Sequence, residues 1–141
     1  MPASLRLVAR AVTQRFAEVL DRVDVPLTLV QLRALYALLD EPDGVPLRHW
    51  AQKLRMSDPS ASRLGQRLER DGLVDRQAGA ARALSVVITD RGREAVSQIE
   101  REQSRELYRM TEPLAAGDRS TLLSLVERLT DQARADHQER R

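Results

Sequence analysis

Between residues 57 and 70 the chain sets hydroxyl, amide and guanidinium groups at helical spacing: Ser57, Ser60, Ser62, Arg63, Gln66, Arg67 and Arg70. A serine hydroxyl can both donate and accept a hydrogen bond, and an arginine fork grips two acceptors at once. Such a row can therefore meet base edges and phosphate oxygens. Asp58-Pro59 reads as an N-cap followed by Pro at the first helical position, and Gly72 reads as a stop. The spacing thus predicts a helix to about Asp71, with Ala61, Leu64, Gly65 and Leu68 on its inward stripe. Small residues at its start let the backbone come close to a groove. The plainer alternative is a surface helix whose arginines are merely solvated.

Other chemistries find little support. The chain has no cysteine, which excludes disulfides, thiolate metal sites and thiol redox switches, and fits a reducing compartment. Its two histidines, His49 and His137, are far apart and lack any metal-ligand spacing. The six glycines are scattered rather than gathered into a phosphate loop, and nothing marks a nucleophile elbow. We expect no catalytic residue, no metal and no cofactor. His137 sits in a polar tail. Tyr36, His49 and Trp50 are candidates for lining a small-molecule cleft, set against core or surface roles for each.

The elements that would position this row follow from periodicity. Leu5, Val8, Val12, Phe16, Val19 and Val23 make a first amphipathic helix over 5–23. After Pro26, Thr28 and Gln31 form a capping box for a second helix to about Leu39, burying Leu32, Leu35 and Leu39. Residues 40–44 are a loop, and Pro46 opens a third short helix to about Leu54. Beyond Gly72, residues 73–76 are extended, Gly79 marks a turn, and Leu84, Val86 and Ile88 alternate as a second strand, so the pair is a hairpin. A long helix then runs from Thr89 or Asp90 to about Met110, with Val96, Ile99, Leu107 and Met110 on its stripe, and Pro113 ends it. The last helix spans about Ala116 to Ala135 and is expected to bury Leu122, Leu125, Val126 and Leu129. The fold class is mostly α with one small β-hairpin.

At 141 residues, 42% apolar and 31% charged, the chain is expected to be a single soluble, cytoplasmic domain large enough for a real core. Its longest apolar runs are far short of a membrane helix, and no signal peptide opens it, so no membrane partner is expected. Net charge is only +2, but its distribution is uneven. Residues 48–93 hold ten basic side chains against five acidic ones, a net of +5, and the other 13 basic and 16 acidic side chains give −3. A basic centre between acidic flanks suits a module that meets phosphate within a chain that otherwise does not. Aromatics are only 3%, which argues against a base-stacking single-strand binder. Two short helices joined by a tight turn, then a hairpin with a basic loop, describe a winged helix–turn–helix.

Here the sequence resembles the MarR family of regulators. Ser57-Asp58-Pro59-Ser60-Ala61-Ser62-Arg63-Leu64 and Arg67-Leu68-Glu69-Arg70-Asp71-Gly72-Leu73-Val74-Asp75-Arg76 are similar to its recognition helix and first wing strand. Arg82 with Val86, Ile88-Thr89 and Gly92 resembles its wing, and Leu27-Thr28 with Leu32 and Leu35 its second helix. The resemblance implies a DNA-binding region over about 27–90 and dimerisation helices over about 1–25 and 90–141. It implies a homodimer on a pseudo-palindromic duplex, usually a repressor, released by a small aromatic or phenolic effector. Three positions depart from the pattern. Ala80 stands where an acidic partner of Arg82 is usual, Gly65 where the recognition helix carries a larger apolar residue, and Trp50 where a Leu is usual. The Gly65 and Trp50 changes are expected to compensate each other sterically. The competing functional class is a winged helix that docks an acidic protein face without binding DNA. The small polar start of the fourth helix speaks for DNA, since a protein interface would more often offer aromatic anchors.

Overall fold

The computed structural model describes residues 2–79 and 83–139, the side chains of Pro2 and 133–139 excepted. The elements run α1 (Pro2–Arg22), α2 (Leu29–Tyr36), β1 (Val45–Pro46), α3 (Leu47–Leu54), α4 (Asp58–Arg70), β2 (Val74–Ala78), β3 (Leu84–Ile88), α5 (Asp90–Thr111) and α6 (Ala116–Glu139). They divide into two compact units, Met1–Ser104 and Arg105–Arg141, and α5 runs through the boundary. The mostly helical class with a small antiparallel sheet is as the sequence predicts.

In the first unit the Thr28–Gln31 capping box starts α2. Gln31 N donates to Thr28 Oγ1 at 3.2 Å and Thr28 N to Gln31 Oε1 at 2.8 Å. The helix ends three residues earlier than its spacing predicts. Leu38 N and Leu39 N donate to Leu35 O and Tyr36 O, three residues back, which tightens the chain into a turn. That turn carries Leu38 rather than Leu39 fully into the core, and the Leu39 carbonyl receives Arg93 Nη1 at 3.0 Å. A hairpin pairs β2 with β3, Val74 opposite Ile88 and Ala78 opposite Leu84. The sequence reading missed β1. Its two residues pair with Val86 and Ser85 on the other edge of β3, giving the order β1-β3-β2. A two-residue strand shows no alternation to read, and its partner lies about forty residues away.

The core gathers Val19, Leu20 and Val23 of α1, Leu32 and Leu35 of α2, Trp50 and Leu54 of α3, Leu64 and Leu68 of α4, Val74 and Val86 of the sheet, and Val96 and Ile99 of α5. Each fully buried aliphatic side chain contributes about 1.5–3 kcal/mol. Gly72, at φ 73°, stops α4 in the left-handed region. Gly92 is required for another reason: a Cβ there would run into the Leu73 carbonyl. Thr89 closes this corner, its hydroxyl donating to Gly72 O at 2.7 Å and accepting from Gly92 N at 3.0 Å.

In the second unit Arg119 folds back on the α5–α6 turn. Its guanidinium lies 5.0 Å from the Tyr108 ring centroid, and its Nη2 donates to Glu112 O at 3.2 Å and Leu114 O at 3.3 Å. The apolar stripe of α6 is not buried as the sequence reading expects. Leu122, Leu125, Val126 and Leu129 are all exposed in the single chain, as are Leu5 and Val8 of α1 and Leu107 of α5. Periodicity marks a face that is apolar, but it does not say what covers that face. Among the described residues, no helix is long and apolar enough to cross a membrane, and no three His, Cys, Asp or Glu side chains gather as a metal site.

Candidate nucleic-acid interface

The fourth helix is held by its small apolar stripe. Ala61, Leu64, Gly65 and Leu68 face inward and are buried. That leaves Arg63, Gln66, Arg67 and Arg70 exposed on the other side, with Ser60 and Ser62 half-buried. The N-cap is Ser57, not Asp58 as the sequence reading has it. Ser57 is the residue in extended conformation, at φ −70° and ψ 152°, and its hydroxyl accepts from Ser60 N at 3.3 Å. Asp58 and Pro59 therefore occupy the first two helical positions, where a carboxylate favours the helix dipole. Ser57 Oγ also donates to Ser60 Oγ at 2.9 Å, and Arg63 Nη2 donates to the same oxygen at 3.3 Å. The three side chains form one hydrogen-bonded string at the start of the helix.

Two residues that sequence reasoning missed fix the far end of α4 to the sheet. Arg76 of β2 gives its Nε to Glu69 Oε2 at 2.7 Å and its backbone N–H to Glu69 Oε1 at 3.2 Å. The hydrogen bond from the Arg76 side chain holds the Glu69 carboxyl below its ordinary range. The signal was available: opposite charges seven residues apart, on either side of a helix-stopping glycine. The break that the sequence predicts at residues 55–57 is made by Arg55, which caps α3 in the left-handed region at φ 56° and so bends the chain between α3 and α4.

The electrostatics sort the basic residues. Lys53 is taken up by Glu41 at 2.6 Å and Arg76 by Glu69, while Arg91 and Arg93 donate to the carbonyls of Asp71 and Leu39. Arg67 and Arg70 make no ion pair among the described residues and stand exposed, as do Arg48 and Arg55. Within residues 48–93 these exposed guanidinium groups lie on α4 and at its approach, with the exposed carboxylates of Asp58 and Asp71 at the two ends of the helix. Arg82 and Ala80, the wing positions singled out in the sequence, lie outside the described residues.

The three cleft candidates do not share a surroundings. Trp50 is fully buried, with Nε1 donating to Ala34 O of α2 at 3.1 Å, so it is a core residue and not an exposed cleft wall. A Cβ built on Gly65 would lie 3.5 Å from the indole Cζ3 and 3.4 Å from Arg76 Cδ, so the ring occupies the space a larger α4 side chain would need. The expected compensation between Gly65 and Trp50 is a direct contact. Tyr36 is 39% exposed. Burial first, then the Glu100 charge, raises its hydroxyl above the ordinary value. His49 is exposed on α3.

Residues 25–83 match the sequence profile of the MarR family. No curated protein sequence matches the chain. Among solved structures, RV1404 from Mycobacterium tuberculosis is 25% identical with a TM-score of 0.78, covering 94% of this chain and 90% of that one. A MarR family protein from Bacillus stearothermophilus is 22% identical at a TM-score of 0.76, covering 94% and 91%. A variant of MepR from Staphylococcus aureus, bound to an oligodeoxyribonucleotide, is 19% identical at 0.74, covering 94% and 96%. The fold is that of the MarR-type winged-helix regulators, across nearly the whole length of each of these chains.

Proposed function

We propose that this chain, which carries the winged helix–turn–helix of the MarR family over residues 25–83, is a sequence-specific regulator of transcription that binds double-stranded DNA as a homodimer. The observation that carries the reading is the outer row of α4. Arg63, Gln66, Arg67 and Arg70 are exposed on a helix whose buried side is small and apolar, and whose glutamate, Glu69, is held by Arg76. In this reading Ser57, Ser60, Ser62, Arg63 and Gln66 face base edges, and Arg67 and Arg70 face phosphates. Arg82 is the residue that this reading, following the family resemblance, assigns to the flanking minor groove.

The homodimer is supported by the apolar faces that the single chain leaves bare. Leu5, Leu7 and Val8 on α1 and Leu122, Leu123, Leu125, Val126 and Leu129 on α6 are between 38% and 68% exposed. Apolar rows of this size on a water-exposed chain call for a partner surface, and a second copy supplies the same rows by symmetry. Two copies of α4 then address a pseudo-palindrome. The regulator is a repressor released by an aromatic or phenolic effector, a role carried over from the family resemblance, with Tyr36 and His49 the cleft residues that remain accessible.

A salt titration on duplex DNA tests the reading. If each dimer neutralises roughly 6–10 phosphates, affinity falls about 10³- to 10⁵-fold between 50 and 200 mM salt. Salt-insensitive binding, or none to any duplex at low salt, would return the chain to the class of protein-docking winged helices.

A further inference from the structure

The bend between α3 and α4 is made by a residue ill suited to it. Three of the described residues have φ in the left-handed region, and two of them, Gly44 at 82° and Gly72 at 73°, are glycines, which adopt it freely. The third is Arg55, at φ 56° and ψ 45°. An L side chain there brings its Cβ against the following carbonyl oxygen, so glycine would be the strain-free choice. The conformation itself is imposed by the fold. Arg55 N donates to Gln52 O at 3.0 Å and Met56 N to Ala51 O at 2.9 Å, which closes α3 and needs a left-handed residue at this position. Leu54 before it is buried and Met56 after it packs against the core, while Arg55 between them is exposed. Its guanidinium makes no hydrogen bond or ion pair among the described residues, although the Asp58 carboxylate stands only three residues on. The strain is present, and the side chain that causes it has no task within the chain.

We propose that Arg55 is a phosphate-binding residue that anchors the α3–α4 bend to the DNA backbone, beside the groove that α4 enters. The proposal rests on the DNA-binding reading and adds to it a residue outside the α4 face. In a helix–turn–helix the first helix crosses the duplex backbone while the second lies in the groove, which carries the bend between them to the groove's rim. A guanidinium at that rim pairs two donors with two phosphate oxygens, stays charged at any working pH and reads no base. Function is a sufficient reason for a strained residue that packing does not ask for. The competing account is that the cation at the end of α3 serves the dipole of its own helix. The two accounts differ in what glycine does at this position.

The test uses the full-length protein, a duplex that it selects from a random-sequence library at low salt, and a random duplex for comparison. Arg55→Gly removes the strain and the charge together. It is expected to unfold in urea at a midpoint no lower than wild type, yet to bind both duplexes more weakly. Its log affinity is expected to fall less steeply with log salt, by about 0.9 for each subunit bound. Arg55→Lys keeps the charge and is expected to keep the wild-type slope. Contact with a particular phosphate is read by replacing the linkages of the selected duplex, one at a time, with uncharged methylphosphonate. Among the linkages where this weakens wild type, one per half-site is expected to leave Arg55→Gly indifferent. A lower urea midpoint in Arg55→Gly means that the cation serves α3 itself, and overturns the proposal. So does an unchanged salt slope in Arg55→Gly, a slope in Arg55→Lys as shallow as in Arg55→Gly, or the same sensitive linkages in wild type and Arg55→Gly. Each of these leaves DNA binding through α4 intact. Absence of wild-type binding to any duplex removes the DNA reading and the proposal together.

Discussion

Trp50 and Gly65 show how one residue's identity is set by another's. The indole fills the interior between α2, α3 and α4, its N–H satisfied by Ala34 O, and its edge stands where an α4 side chain would project. A glycine within a helix costs about 1 kcal/mol relative to alanine. The methyl of Gly65→Ala meets only ordinary contacts, 3.4 and 3.5 Å, so this variant is expected to gain about 0.5–1 kcal/mol in urea unfolding. Gly65→Leu drives branched carbons into the indole and is expected to lose about 1–3 kcal/mol. A second substitution, Trp50→Leu, should recover part of that loss. The sequence showed both residues as oddities; that they touch is a fact of helix packing, which spacing does not encode. On the outer side of the same helix the expected effects are on recognition. Arg63→Ala is expected to lose discrimination at one base pair of each half-site by about 1–3 kcal/mol, and Arg67→Ala to weaken specific and random duplexes equally. Equal losses in both variants on both kinds of DNA would dissolve that division of roles.

At the scale of elements, what was legible is what local chemistry dictates. The capping box of α2, the glycine stop of α4 and the alternation of β3 each act within a few residues, and each was readable. What was not legible depends on distant partners: β1 on the edge of β3, the early end of α2 where Leu38 turns inward, and the Glu69–Arg76 bond between α4 and β2. The start of α4 failed for a subtler reason. Ser57 and Asp58 are both good caps, and the chain takes the one whose hydroxyl reaches Ser60 N. The Glu69–Arg76 bond has a pH signature. The Glu69 carboxyl is lower in the folded than in the unfolded chain, chiefly through the Arg76 hydrogen bond. Its contribution to stability is therefore complete above the ordinary carboxylate value of about 4.3, and disappears as pH falls through the lower folded value. Glu69→Gln is expected to be less stable than wild type at neutral pH, with the gap closing as acid is added. A gap that stays constant from pH 7 to pH 3 in urea unfolding would mean that Arg76 does not hold this carboxylate.

For the whole molecule the unfinished surface is the argument. The first unit buries a continuous core, whereas α6 leaves five large apolar side chains and α1 three others open to water. The periodicity of these helices predicted apolar faces and was right about their composition; a single sequence cannot distinguish a face that closes on its own chain from one that waits for a second. Full burial of a Leu contributes about 1.5–3 kcal/mol, and covering these half-exposed side chains roughly half of that each, so a dimer that buries the rows twice over offsets the cost of association. Leu125→Glu with Leu129→Glu places two carboxylates per subunit within that proposed seam. Both positions are exposed in the single chain, at 48% and 68%, so the winged unit is expected to keep its fold and its far-ultraviolet helical signal. Sedimentation at micromolar concentration is expected to show a dimer for wild type and a monomer for the variant. DNA binding then follows from geometry. Two linked α4 helices hold a palindrome with an effective concentration that separate lobes lack, so the variant is expected to bind about 10²- to 10⁴-fold more weakly to a two-half-site duplex. On a single half-site the two proteins are expected to differ little. A variant that sediments as wild type would place the seam elsewhere, and a wild-type monomer that still binds one half-site would make each chain a complete reader by itself.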